Sequence, residues 1–138
     1  MSDITYFVTN RSSRIDTHIL DRAIIHACEY LGILKLVLEI EYVSDEPKGF
    51  FGDADVHDGV AYITLNKRLN LKNTIITLFH EMVHVCQMLR GDLVIGEGGR
   101  NTVWRNSDNG SEYRNTPWER EAYELEQILY DTFDRTLS

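Results

Sequence analysis

The stretch NLKNTIITLFHEMVHVCQML, residues 70–89, decides how this chain is read. Leu71, Ile75, Leu78, Phe79, Met82, Val83, Cys86 and Leu89 recur at helical spacing, and Gly91 supplies a stop, so one long amphipathic helix is expected from about Asn70 to Leu89 or Arg90. Into its apolar pattern is set His80-Glu81-Met82-Val83-His84, an H-E-x-x-H sequence. Residues four apart on a helix lie nearly above one another, so both imidazoles can reach one ion. Glu81, beside the first histidine, projects toward a water at that ion. Two histidines and a glutamate in a core-facing helix need polar partners, because each one buried unpaired costs about 1–3 kcal/mol. A metal supplies them, and neutral imidazoles suit Zn²⁺ with an open position for water.

Outward from this helix the chain reads as one domain. Its 138 residues, 43% of them hydrophobic, suffice for a single core over residues 1–138 without disulfides. Upstream, residues 4–8 form a short strand. A helix follows over about 14–31, with a capping-box-like start at Ser13 and Asp16 and a stop at Gly32. Leu36 to Val43 alternates apolar and polar as a half-buried strand does, and Val60 to Leu65 reads as another. Residues 44–59, with Pro47 and several Gly and Asp, read as a loop or tight hairpin connection. Downstream, the polar segment 92–115 leads to a last helix from about Pro117 to Phe133. The fold class expected is α+β: an N-terminal helix, a short antiparallel or mixed sheet, the motif helix and a C-terminal helix.

Two histidines leave zinc a ligand short. The last helix offers Glu119 and Glu121, which are two positions apart, about 200° around the axis, so only one can face the metal. They flank the buried stripe of Ala122, Leu125, Leu129 and Phe133 on opposite sides, and periodicity does not choose between them. Thr116-Pro117-Trp118-Glu119 also fits a capping box, which would turn the Glu119 carboxylate onto the backbone and leave Glu121 as ligand. Asp92 and Glu97 are weaker candidates in the stretch after the motif helix.

HEMVHVCQ, a polar interval and then PWEREAYELE resemble the minimal gluzincins, especially the compact SprT-like and phage-encoded metallopeptidases, over about residues 60–130. The resemblance implies a zincin-like fold and a zinc peptidase with His80, His84 and Glu119 as ligands and Glu81 as general base. It also implies that Ala122 lets the helices approach, and that Val60 to Leu65 is the edge strand pairing with an extended substrate. The sequence departs from the family pattern at Tyr123, where that pattern has Asp or Asn, so support for the ligands must come from another group or be absent.

Net charge -8 repels phosphate backbones, which makes nucleic acid a poor partner and disfavours SprT-like action on DNA-associated proteins. A protein or peptide substrate is expected, with a catalytically inactive zinc-binding interaction module as the alternative. Neither an 18-residue apolar run nor a signal-peptide order occurs, so a cytoplasmic protein without a membrane span is expected, in the host cytoplasm if phage-encoded. Cys28 and Cys86 read as buried reduced thiols. Tyr113, Arg100, Arg105 and Arg114 are loop residues that could hydrogen-bond an oxyanion. His57 with Asp53, Asp55 and Asp58 reads as a turn rich in Asp and Gly or as a second metal site. Trp104 and Trp118 read as a substrate groove or as packing, and His18 and His26 lack ligand spacing.

Overall fold

A computed structural model describes residues 3–13, 15–44, 49–94, 103–104, 107–108 and 116–137. Tyr113, Arg100, Arg105, Arg114 and Glu97 lie outside these residues. The elements run β1 (Asp3–Thr9), α1 (Thr17–Leu31), β2 (Lys35–Val43), β3 (Gly52–His57), β4 (Val60–Asn66), α2 (Leu71–Leu89), β5 (Leu93–Val94), β6 (Val103–Trp104), β7 (Ser107–Asp108) and α3 (Pro117–Leu137). The main sheet is mixed, in the order β1-β2-β4-β3, and β5-β6-β7 form a small antiparallel sheet. The architecture is therefore α+β, with three helices among the described residues.

Helix α1 starts three residues later than the periodicity suggests, because Asp16 is its N-cap and accepts from the backbone N–H groups of His18 and Ile19. Gly32 ends it with φ 73°, a left-handed conformation that lacks a Cβ penalty. β1 and β2 pair in parallel, as a strand–helix–strand unit allows. Along β2, Leu36, Leu38, Ile40 and Tyr42 are buried while Lys35, Val37, Glu39 and Glu41 face solvent. One sheet face thus joins the helices in a single core with Leu20, Ile24, Leu78, Phe79, Met82, Leu129 and Phe133.

Two expectations are corrected. Residues 44–59 are not only a connection: Gly52–His57 is a strand, paired antiparallel with β4. Two of its inward positions, Gly52 and Ala54, are small and its outward ones are Asp53, Asp55 and His57, so strand propensity shows only at Val56. The turn back is Asp58-Gly59, at φ 52° and 79°, the paired positive values that a two-residue hairpin requires. In consequence Val60 to Leu65 is not an edge, since β4 is hydrogen-bonded on both sides, to β2 and β3. β3 is the edge beside α2. The last helix runs four residues beyond Phe133, to Leu137.

α2 is capped by Asn70, whose side chain accepts from the Asn73 N–H, and Gly91 follows it at φ 77°. It lies along β3 and β4 on one side and against α3 on the other. No described helix is long and apolar enough to cross a membrane.

Candidate metal centre

The polar cluster sits where α2 and α3 face each other. His80 and His84, one turn apart on α2, direct Nε2 toward the same oxygen of Glu119, in the first turn of α3, at 2.9 and 2.8 Å. The two Nε2 atoms are 3.2 Å apart. Glu119 is buried, 2% exposed. Thr116 does cap this helix, its Oγ1 accepting from the Glu119 N–H at 3.4 Å, but the carboxylate turns to the histidines and not to the backbone. Glu121 faces away from them and accepts from Gln87 Nε2 at 3.0 Å. Between the two acidic candidates, the structure brings Glu119 into the cluster and leaves Glu121 outside it. Asp92 is also outside, with Oδ2 3.6 Å from Arg90 Nε.

The far side of each imidazole decides what the near side offers. His80 Nδ1 is 2.8 Å from Glu126 Oε1, and an ionised carboxylate only accepts, so the ring proton belongs on Nδ1. His84 Nδ1 is 2.8 Å from Gln87 Oε1. That amide is oriented by its own NH₂, which donates to the Trp118 carbonyl and to Glu121, both at 3.0 Å. The oxygen therefore faces His84, which also carries its proton on Nδ1. In neutral imidazoles both Nε2 atoms then present lone pairs to a carboxylate oxygen. Three acceptors this close need a shared positive charge. Tetrahedral bonds of about 2.0–2.1 Å would separate ligand atoms by about 3.3 Å, near the observed spacings. His80, His84 and Glu119 could thus hold a metal ion, although imidazole and carboxylate donors do not by themselves select which.

Electrostatics show the same demand for positive charge, which protons on the imidazoles also meet. Burial opposes protonation of His80, but its hydrogen bonds to Glu119 and Glu126 and the charge of Glu81 prevail and raise its pKa to about 10. His84 is raised in the same way, its burial outweighed by Glu119 and Glu81. Burial would raise Glu119, yet the two imidazoles hold it far below the usual carboxylate range. Glu81 differs: burial pushes it up to about 7, with Asp53 and Glu119 adding to this against His84 and His80.

A cleft of about 510 Å³ opens on this cluster, with His80 and Glu81 in its lining beside Phe51, Gly52, Tyr123 and Glu126. Gly52 lets β3 cross α2 closely: a Cβ there would stand 2.7 Å from Thr77 Cγ2 and 2.9 Å from the Thr64 carbonyl oxygen. The Tyr123 ring lies 4.8 Å from that of His80, and Glu126, seven residues beyond Glu119 and two turns along the same face, sets its carboxylate against His80 Nδ1. Ala122 is fully buried in the core.

The sequence reading did not single out Gln87, Glu126 or Gly52. Spacing holds the signal for two of them, since Gln87 is three residues after His84 and Glu126 seven after Glu119. The other flagged residues lie elsewhere. His57 Nε2 contacts Asp55 Oδ2 at 2.6 Å on the exposed hairpin. His18 is exposed, and His26 contacts Thr132 Oγ1 at 2.9 Å. Trp104 and Trp118 are buried, with ring centroids 6.2 Å apart, in a small cluster with Leu93. Both cysteines are buried and free, and burial pushes Cys28 up to about 11. Comparison with protein-family models, with curated proteins and with solved structures returned no match.

Proposed function

We propose that this chain is a zinc-dependent peptidase of the minimal gluzincin kind, with a zincin-like fold, that hydrolyses peptide bonds with Glu81 as general base. The observation that carries the reading is the meeting of His80 Nε2, His84 Nε2 and Glu119 Oε1 within 3.2 Å of one another while each Nδ1 is already engaged. Two imidazoles and one carboxylate are a standard open catalytic set for zinc. The metal, when bound, supplies a Lewis acid that polarises the substrate carbonyl and lowers the pKa of water.

The remaining work falls to the chain. Glu81 is next to the ligand His80 in sequence, buried, and lines the cleft, where a carboxylate can take a proton from water as its oxygen attacks the carbonyl carbon. When the C–N bond breaks, the same carboxyl returns that proton to the leaving amine. β3, as the edge strand beside the cleft, offers main-chain groups to an extended peptide, the role that the resemblance assigned to Val60–Leu65.

The one sequence feature that favours an inactive binding module is the departure at Tyr123 from the resembled pattern. Glu126 supplies a carboxylate to His80 in its place, so that departure no longer favours the module. SprT-like action on DNA-associated proteins gains no support from a chain of net charge -8.

The test joins metal analysis to turnover on an unfolded protein substrate. The parent should hold one zinc and cleave, while Glu81→Gln should keep the zinc and lose about 10²–10⁴-fold in rate. A parent that binds zinc but cleaves nothing that Glu81→Gln spares would leave the binding module as the reading.

A further inference from the structure

We infer, on the metal-site reading above, that Gln87 is a positioning residue: it selects the tautomer of His84 and ties that imidazole to the turn of α3 that delivers Glu119. Gln87 is completely buried. Its amide uses both ends at once, the oxygen 2.8 Å from His84 Nδ1 and the nitrogen 3.0 Å from both the Trp118 carbonyl and Glu121 Oε1.

The tautomer follows from which way the amide can face. With NH₂ toward His84, Nδ1 would have to accept, the ring proton would move to Nε2, and the nitrogen facing Glu119 would lose its lone pair. The Trp118 carbonyl and the Glu121 carboxylate are both acceptors, so they forbid that flip. Glu121 therefore acts on the site through Gln87, although it does not reach the cluster. Trp118 directly precedes Glu119, so the same amide nitrogen also holds the backbone next to the third ligand. Only a carboxamide combines an acceptor and two donors in this way, asparagine's being one methylene shorter, and leucine or glutamate at 87 loses one half or all of the arrangement.

The experiment measures zinc affinity by chelator competition and the visible absorption of the cobalt-loaded protein, with thermal melts as the check on folding. Gln87→Leu should weaken zinc about 10–100-fold and alter the cobalt spectrum. Gln87→Glu alone sets a carboxylate against two acceptors and should also weaken binding. The double variant Gln87→Glu/Glu121→Gln restores a donor–acceptor pair between positions 87 and 121, so it should bind zinc several-fold more tightly than Gln87→Glu. Folded Gln87→Leu with parental affinity and spectrum overturns the inference, as does a double variant no tighter than Gln87→Glu. That second comparison decides the matter if Gln87→Leu does not fold. A parent that binds no zinc overturns the metal-site reading as well, whereas a zinc-binding parent indifferent to position 87 overturns this inference alone.

Discussion

Among the described residues, two places bring histidine and carboxylates together, and they stand at opposite ends of the same strand. At one end of β3, Gly52 borders the cleft lined by His80 and Glu81, behind which His84 and Glu119 meet His80; at the other, His57 and Asp55 meet on the hairpin that Asp58 and Gly59 turn. The first group is buried, comes from two helices, and sets three acceptors against one another with each Nδ1 occupied. The second is one exposed pair, its side chains 68% and 51% accessible, with water to satisfy whatever the partner does not. Proximity of ligand-type residues is common to both. What differs is the cost of the arrangement without a cation, which is high inside and negligible outside.

The largest expected effect breaks the inner group. Glu119→Ala removes the one oxygen that both imidazoles address, so zinc affinity should fall by more than the roughly 10–100-fold that loss of an outer partner costs. Asp55→Ala should leave it unchanged. Equal losses, measured by competition with a chromophoric chelator, would mean that the hairpin shares the ion and that the contrast is false.

Chelation is the next test. Ions that bind only the folded state add stability, about 4 kcal/mol at a thousand times the dissociation constant. For a domain of this size that is on the order of 10 °C in melting temperature. EDTA should lower the parent's melting temperature by that much and leave Glu119→Ala where it is. Identical melts with and without the chelator would mean that the cluster is held by protons and not by a metal.

The inner group was largely legible in the sequence, and the reason is periodicity. A four-residue spacing on a strongly amphipathic helix fixes two side chains on one face before any tertiary contact is known, so His80, Glu81 and His84 could be picked out together. Glu119 against Glu121 could not be separated by the helical wheel, since the two flank one apolar stripe. The choice depends on Gln87, on another helix, which takes Glu121 as acceptor. β3 was missed because Gly52, Ala54 and Val56 mark its inward face only weakly, and that hid the true sheet edge and made β4 stand in for it. Reading H-E-x-x-H is local, whereas reading β3 requires knowing that α2 will press on Gly52.

That pressure gives an intermediate effect. Gly52→Ala forces a methyl against Thr77 and the Thr64 carbonyl and should cost about 1–3 kcal/mol, together with a loss of turnover as β3 moves off Glu81. Gly59→Ala meets no neighbour but must hold φ 79°, at about 1–2 kcal/mol, and should leave turnover intact. The two glycines thus differ less in stability than in function. Denaturant melts beside a peptidase assay would show it, and turnover lost equally in both would mean that β3 acts as one rigid unit.

The smallest effect lies in the outer pair. The 2.6 Å contact between His57 and Asp55 is short, but both side chains are in water, where an ion pair trades its attraction for lost solvation and side-chain freedom. A double-mutant cycle with His57→Ala and Asp55→Asn should give a coupling within about 0.5 kcal/mol, with zinc affinity and turnover unmoved. A coupling above about 1 kcal/mol, or a change in zinc affinity carried along β3 from its far end, would show that the hairpin holds more than a turn. Burial alone would then be the wrong criterion for dividing the two groups, and would have to give way to connectivity through the strand.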